Sequence, residues 1–317
     1  MRVGVVDLGT NSTRLLVADV EDGAVVELER RTVITRLGEG VDAAGRLSDG
    51  AMARVRDAMG SYREIIDNAE ATTVVAVATS AMRDAENGPA FREELAERFG
   101  IDARTISGDD EARLSFRGAT AALGSGEAAG PPTMLIDIGG GSTEYVIGRP
   151  RVEPEFHVST RMGSVRHTER FLDSDPPAPD ELAALAVDAR RIVQSEVPEE
   201  QREGTEHGIA VAGTATSLAA IDLQLDPYDP KRVHGHRVTV PACERMLSML
   251  AARPVAERRR VTGLDPDRAP TIVAGAVILL ESIKVFGLDE IEISEADILH
   301  GAALAAAEGH FPHGKPG

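Results

Sequence analysis

One short pattern occurs twice in this chain, and it constrains the fold more than any other feature. Asp7-Leu8-Gly9-Thr10-Asn11-Ser12-Thr13-Arg14 opens the protein, and Asp137-Ile138-Gly139-Gly140-Gly141-Ser142-Thr143-Glu144 repeats it. Each copy follows an apolar run and carries small, hydroxyl-bearing residues into a turn. Apolar, β-branched runs that end in glycine read as buried strands. Shared Asp, Gly, Ser and Thr at fixed offsets point to a duplicated structural unit. The copies differ at the last position, where one ends in Arg and the other in Glu.

The segments after each copy support two α/β units. In the first half, Arg14–Asp19 and Ala24–Thr35 read as strands joined by an Asp22-Gly23 turn, and a helix over Ser48–Asn68 is capped by Ser48. Thr72–Thr79 is a central strand, Pro89–Phe99 a helix, Asp102–Ser107 a short strand, and a helix runs from Gly108 to about Leu123. The small and polar stretch Gly124–Pro132 marks a boundary. In the second half, Tyr145–Gly148 and Val152–Ser159 read as strands, Ser164–Leu172 as a helix, and Asp180–Ser195 as an amphipathic helix capped by Asp180. A strand over Gly208–Ala212 runs into a third glycine-hydroxyl loop, Gly213-Thr214-Ala215-Thr216-Ser217. Helices over Pro241–Leu250 and Arg268–Phe286, a strand over Glu290–Ser294 and a last helix over Ile298–Ala307 follow. The expected domains are residues 1–127 and 128–297, with a disordered tail over 309–317.

A chain of 317 residues is comfortable as two domains. Aromatic residues are 3% of the chain and Trp is absent, so small aliphatic residues must fill the core. A net charge of −18 argues against nonspecific nucleic-acid binding. It also means that an anion site needs backbone N–H groups, Arg side chains or a divalent cation to reverse the local field. Cys243 is the single cysteine, so no disulfide forms within the chain. No stretch is long and apolar enough for a membrane span, and no signal peptide precedes the first strand, so a cytoplasmic protein is expected.

The two turns suit phosphate. Gly9 and Gly139-Gly140-Gly141 let backbone N–H groups converge on one anion, and Ser12, Thr13, Ser142 and Thr143 add hydroxyls. Neither turn is a Walker A or dinucleotide-binding sequence. Asp7 and Asp137 end buried strands, where a carboxylate either caps the turn or meets a cation. Arg14 and Arg83 are the cations expected near a phosphate, although Arg83 could equally pair with Asp84 or Glu86 on a helix surface. Glu111 is either a first-turn helix carboxylate or a general base that orients water towards phosphorus. Glu144 could share the metal or the base role. The histidines show no metal-binding spacing, and His234-Gly235-His236 lacks a third ligand nearby.

Together these segments resemble the exopolyphosphatase and guanosine pentaphosphate phosphohydrolase family of the actin-like ATPase superfamily. The residues that carry the resemblance are Asp7–Ser12, Thr79–Asn87, Gly108 with Glu111-Ala112-Arg113, Asp137–Glu144 and Gly213–Ser217. It implies a duplicated ribonuclease H-like fold with two domains around a cleft, and a helix at about 298–308 packing back on the first domain. It further implies magnesium-dependent release of orthophosphate from the end of inorganic polyphosphate, with manganese as a substitute ion and a homodimer as the plausible assembly. Glu111 then looks like the base, Glu144 the second acid, and Asp7, Asp137 and Glu144 the metal site. Gly9, Thr10, Asn11, Ser12, Arg14, Arg83, Gly139, Gly140, Gly141, Ser142, Thr143, Gly213 and Thr214 look like the phosphate binders.

Two departures from the family pattern stand out. Long members carry further helical domains, and their absence here favours shorter polyphosphates. Relatives often read Gly-Leu-Arg-x-Gly before the last helix, whereas this chain has Ala296-Asp297-Ile298-Leu299-His300-Gly301 and lacks that Arg. Guanosine pentaphosphate is the alternative substrate, since the same anhydride chemistry serves both. A kinase of the same superfamily or a nonenzymatic nucleotide or alarmone sensor are the other readings. The Glu111 and Glu144 pair suits water attack better than transfer to an organic hydroxyl.

Overall fold

The computed structural model describes residues 1–121, 130–150 and 154–312. The chain divides into two compact units, Met1–Ala122 with Asp297–Gly317, and Leu123–Ala296. Among the described residues no helix is long and apolar enough to cross a membrane.

Unit 1 is built on a sheet of β1 (Arg2–Leu8), β2 (Ser12–Glu21), β3 (Ala24–Ile34), β4 (Thr73–Ala78) and β5 (Ala103–Thr105) in the order β3-β2-β1-β4-β5. The first three strands form an antiparallel meander, and β4 and β5 add in parallel on the far side of β1. Both faces of β1 are covered, which explains its continuous apolar run. On one face Val6 and Leu8 pack with Val55, Met59 and Tyr62 of the Asp49–Asn68 helix. On the other, Val3 and Val5 pack with Leu299, Ala302 and Ala303 of the final helix, Ile298–Ala307. Ser48 caps the Asp49–Asn68 helix by accepting from the Ala51 N–H at 3.3 Å.

Unit 2 repeats the plan with β6 (Thr133–Ile138), β7 (Thr143–Gly148), β8 (Phe156–Thr160), β9 (His207–Val211), β10 (Arg237–Thr239) and β11 (Glu290–Ile293). The order is β10-β11-β9-β6-β7-β8. Again the signature strand lies beside an antiparallel meander and gains parallel neighbours on its other side. Its core centres on the apolar Ile272–Val285 helix, with Tyr145, Leu218 and Ile278 buried.

Several local expectations change. The stretch Gly213–Ser217 is not a third loop. It lies in the first turns of a helix over Ala212–Asp222, because Ala212 takes a left-handed φ of 67° and turns the chain directly from β9 into helix. Asp180 is not a cap. The helix begins at Pro179, and Glu181 reaches back to accept from the Ala178 N–H at 2.8 Å. The long helix near Arg268 begins at Ile272, after a short 3₁₀ turn over Pro266–Arg268. Within the tail, Phe311 is buried under the Arg104 guanidinium, 5.2 Å from its ring centroid, and Arg104 donates to the Pro312 carbonyl at 2.8 Å. That contact places Phe311 and Pro312 against β5, within the stretch that sequence assigns to the tail. The expected helix end near Leu123, most of the boundary stretch, the start of the Val152–Ser159 strand and residues 313–317 lie outside the described residues.

Candidate active site

The two signature turns close in the same way. The Gly9 N–H donates to the Ser12 carbonyl at 3.0 Å, and the Gly139 N–H donates to the Ser142 carbonyl at 3.0 Å. At both tips the carbonyls are pinned. Thr10 and Asn11 carbonyls accept from Gly38 and Arg36, and Gly139 and Gly140 carbonyls accept from Ser164 and Val165 at the start of the Ser164–Phe171 helix. Arg166 Nε adds a 2.7 Å bond to the Gly141 carbonyl. The amides of Thr10, Asn11, Gly140 and Gly141 donate to no protein acceptor among the described residues. Successive free amides of this kind form an anion-binding nest. Two glycines permit the close packing behind the turns. A Cβ on Gly38 would lie 2.2 Å from Thr10 Cγ2, and one on Gly163 would lie 2.4 Å from the Gly140 carbonyl oxygen.

The threonines serve the scaffold. The Thr13 and Thr35 hydroxyls share a 3.0 Å hydrogen bond, and the Thr143 hydroxyl donates to the Met162 carbonyl at 2.5 Å. Thr143, expected to bind phosphate, therefore holds its turn to the segment that follows β8. The Thr10 hydroxyl bonds to Ser80 at 2.7 Å and joins the first turn to the Ser80–Asp84 helix.

Strand register sets the charge at the strand ends. In unit 1, Asp7 of β1 lies opposite Arg14 of β2. Arg14 Nε and Nη2 both donate to Asp7 Oδ2, at 2.9 and 2.7 Å, and Nη1 donates to Asp297 Oδ2. All three guanidinium nitrogens of Arg14 are thus engaged by carboxylates, which accounts for a cation in so acidic a chain without invoking substrate. Burial raises the Asp7 pKa, and the Arg14 charge only partly offsets it. Burial acts in the same sense on Asp297, but there Arg14, Arg30 and His300 outweigh it and hold the carboxyl below its ordinary value.

In unit 2, the equivalent row carries like charges. Asp137 of β6 lies opposite Glu144 of β7, and both are buried, Glu144 to 1% exposure. Ser159 of β8 continues the row and donates to Glu144 Oε1 at 2.7 Å. Sequence reasoning missed Ser159, because only the β7–β8 register reveals it.

Glu111 lies in the first turn of the Gly108–Ala121 helix and is buried. Ser107 caps that helix by accepting from the Asp110 N–H at 3.1 Å. Arg83 faces it, with Nη1 3.9 Å from Glu111 Oε2 and donating to the Ile106 carbonyl at 3.0 Å. Asp84 is 3.9 Å from Arg83 Nε, while Glu86 pairs with Arg46 instead. Arg83 Nη2 makes no hydrogen bond to protein among the described residues, whereas each of the three Arg14 nitrogens donates to a carboxylate.

The chain matches a known group of proteins. The model of the Ppx/GppA phosphatase family matches residues 16–310. The chain belongs to that family. Exopolyphosphatase 2 of Mycobacterium tuberculosis is 38% identical over 327 residues, covering 96% of this chain and 98% of its own length. Exopolyphosphatase 1 of the same organism is 29% identical, over 96% of this chain and 88% of its own. The crystal structure of an exopolyphosphatase from Cytophaga hutchinsonii superposes with a TM-score of 0.88 at 26% identity, over 99% of this chain and 100% of that one. A Ppx/GppA enzyme of Aquifex aeolicus superposes with a TM-score of 0.80 at 29% identity, over 96% and 99%.

The donor sets in this Ppx/GppA chain can be tested against a divalent cation. Among the described residues no three His, Cys, Asp or Glu side chains converge into a cage made by protein alone. Magnesium does not require one, since it binds through one or two carboxylates and keeps waters and substrate phosphates as its other ligands. The opposed pair Asp137 and Glu144 fits that donor set. Asp7 keeps one carboxylate oxygen for such a role, since Arg14 holds only Oδ2.

Gly213 and Thr214 sit at the start of the Ala212–Asp222 helix, and there the structure adds a residue that sequence did not single out. The Arg268 guanidinium lies over Gly213, so close that a Cβ there would be 1.6 Å from Nη1. Thr214 packs against Gly275, where a Cβ would meet its Oγ1 at 2.5 Å. No local pattern marks Arg268, since it lies in a polar turn far along the chain from Gly213.

Proposed function

We propose that this chain is an exopolyphosphatase that hydrolyses the terminal phosphoanhydride of inorganic polyphosphate and releases orthophosphate. The observation that carries the reading is the signature turn built twice, each time with its carbonyls pinned and two successive amides left without a protein acceptor among the described residues. The matching strand orders of the two units support a duplicated ribonuclease H-like, actin-like arrangement. In this reading the free amides of Thr10 and Asn11 and of Gly140 and Gly141, in turns closed by Gly9 with Ser12 and by Gly139 with Ser142, bind phosphate oxygens. Arg83 offers Nη2 to a phosphate, and Gly213 and Thr214 with Arg268 form a further anion contact.

Glu111 accepts a proton from water as the water oxygen attacks the terminal phosphorus. The bridging P–O bond breaks, and the shortened chain leaves as an anion. Asp137 and Glu144 would hold magnesium, which neutralises phosphate charge when bound. Ser159 fixes the rotamer of Glu144 from the neighbouring strand.

The test is phosphate release in the presence of magnesium from short and long polyphosphates, guanosine pentaphosphate and ATP. Glu111→Gln keeps the size and hydrogen-bonding reach of the side chain but not its basicity. It is expected to lower kcat by about a hundredfold or more while substrate binding persists. Unchanged turnover in that variant would show that Glu111 is not the base. Release from guanosine pentaphosphate alone would move the substrate assignment while leaving the chemistry in place.

A further inference from the structure

Behind the first signature turn lies a charge network, buried at Asp297 and reaching the surface at Glu27, that local sequence patterns do not foretell. Its origin is a β-bulge in β3. Val17 pairs with Glu29, but the next residue of β2, Ala18, pairs with Glu27, so Leu28 is the extra residue. Strict alternation would put Glu27 and Arg30 on opposite faces of the sheet. The bulge brings both to the face covered by the final helix, which is the recurrent use of such a bulge. There Arg30 Nη2 lies 3.8 Å from Asp297 Oδ2 and Arg30 Nη1 lies 3.4 Å from Glu27 Oε1, while His300 Nε2 lies 2.9 Å from the same Glu27 oxygen.

Asp297 is the centre of this network and is only 2% exposed. Its Oδ1 accepts from the Leu299 N–H at 3.0 Å and so caps the final helix. Its Oδ2 accepts from Arg14 Nη1, and Arg14 in turn holds Asp7 Oδ2 with its other two nitrogens. The other oxygen of Asp7, Oδ1, is buried and has no hydrogen-bond partner among the described residues. A buried carboxylate oxygen without a donor is expensive, so it marks a place for a donor from outside the protein, such as a water or the water shell of a cation.

The backbone of Asp297 also touches the helix that carries Glu111. A Cβ on Gly118 would lie 1.9 Å from the Asp297 carbonyl oxygen, and one on Gly301 would lie 1.9 Å from the Leu114 carbonyl oxygen. One residue therefore bears on both the strand-end carboxylate and the helix of the proposed base.

We infer that Asp297 is a positioning residue for hydrolysis: it fixes Arg14 so that Arg14 immobilises one oxygen of Asp7 and leaves the other aimed at a ligand, in register with the Glu111 helix. The inference rests on the proposed hydrolase reading. An Asp in the stretch before the last helix organises Arg14 from behind the turn.

Asp297→Asn tests this, because Asn caps a helix about as well as Asp but removes the charge that Arg14 faces. The expected result is a kcat on polyphosphate at least tenfold lower, with KM within about threefold of wild type. A double-mutant cycle adds a readout that a merely structural role would not move. If Asp297 acts through Asp7, adding Asp297→Asn to Asp7→Asn lowers kcat by less than about twofold more. Full additivity, or an unchanged kcat in Asp297→Asn, would overturn the inference. Should that variant fail to fold, Arg14→Lys keeps the positive charge but not the three-point grip, and must show the same fall in kcat. A wild-type chain that releases no phosphate from any of the substrates overturns the proposed function and this inference together. Active wild type with an unaffected Asp297→Asn overturns only the inference.

Discussion

Acidification should destabilise unit 2 through a single buried imidazole. His167 lies on the Ser164–Phe171 helix with no exposed surface, its ring 5.4 Å from that of Phe171. Its Nε2 is 3.4 Å from Asp188 Oδ2, yet neither ring nitrogen makes a well-formed hydrogen bond. Burial lowers the His167 pKa from 6.5 to about 4, with Asp188 opposing and Arg170 reinforcing the shift. The native state thus keeps this ring neutral down to about pH 4, whereas the unfolded chain protonates it near 6.5. Between those values the unfolded state binds more protons, so stability falls as pH falls. A shift of about 2.5 units corresponds to about 3.4 kcal/mol once both states are protonated, and to about 2 kcal/mol at pH 5. With an m-value of about 2 kcal/mol/M, the urea midpoint should drop by about 1 M between pH 7.5 and pH 5 from this group alone. His167→Phe keeps an aromatic ring beside Phe171 and cannot titrate. Urea unfolding of both proteins at both pH values, followed by far-UV circular dichroism, isolates the contribution as a difference of differences. If the variant loses as much stability on acidification as wild type does, the reasoning is wrong. The same helix start donates its amides to the Gly139 and Gly140 carbonyls, so its loosening should also disturb the second turn.

Two smaller perturbations probe that turn. Ser159→Ala removes the 2.7 Å bond to Glu144, and hydrogen bonds to charged groups contribute about 1.5–3 kcal/mol. Steady-state kinetics should show kcat reduced about tenfold or more with KM little changed, and a change confined to KM would count against a positioning role for Ser159. Gly163→Ala would force a methyl against the Gly140 backbone, for which overpacking costs of about 1–3 kcal/mol are typical. Its urea midpoint should fall and phosphate release should fall with it, whereas wild-type values for both would mean that the contact relaxes freely.

The parts of this protein that were legible in its sequence are those that depend on neighbours in the chain. The duplicated turns, the strands that lead into them and the first-turn position of Glu111 follow from local spacing, because a buried strand and a capped helix each leave a short-range pattern. The sign difference between Arg14 and Glu144 was visible too, and register turned it into contrasting rows: an ion pair with Asp7 in one unit and opposed carboxylates with Asp137 in the other. What stayed hidden depends on pairing between distant segments. Leu28 gives no sign of being a bulge, since nothing in Glu27-Leu28-Glu29-Arg30 distinguishes it from an ordinary alternating strand. Without the bulge, Glu27 and Arg30 cannot be placed on one face, and the contacts to Asp297 and His300 have no basis. Arg268 over Gly213 is hidden for the same reason. The physical distinction is between residues that define where a strand ends and residues that decide what the charge at that end meets. The former are local properties of the backbone; the latter are set by register and by a helix contributed from the far end of the chain. Arg14 shows the consequence most plainly. Its position beside a phosphate-like turn suggests a substrate cation, while its three engaged nitrogens make it the link between the turn and Asp297.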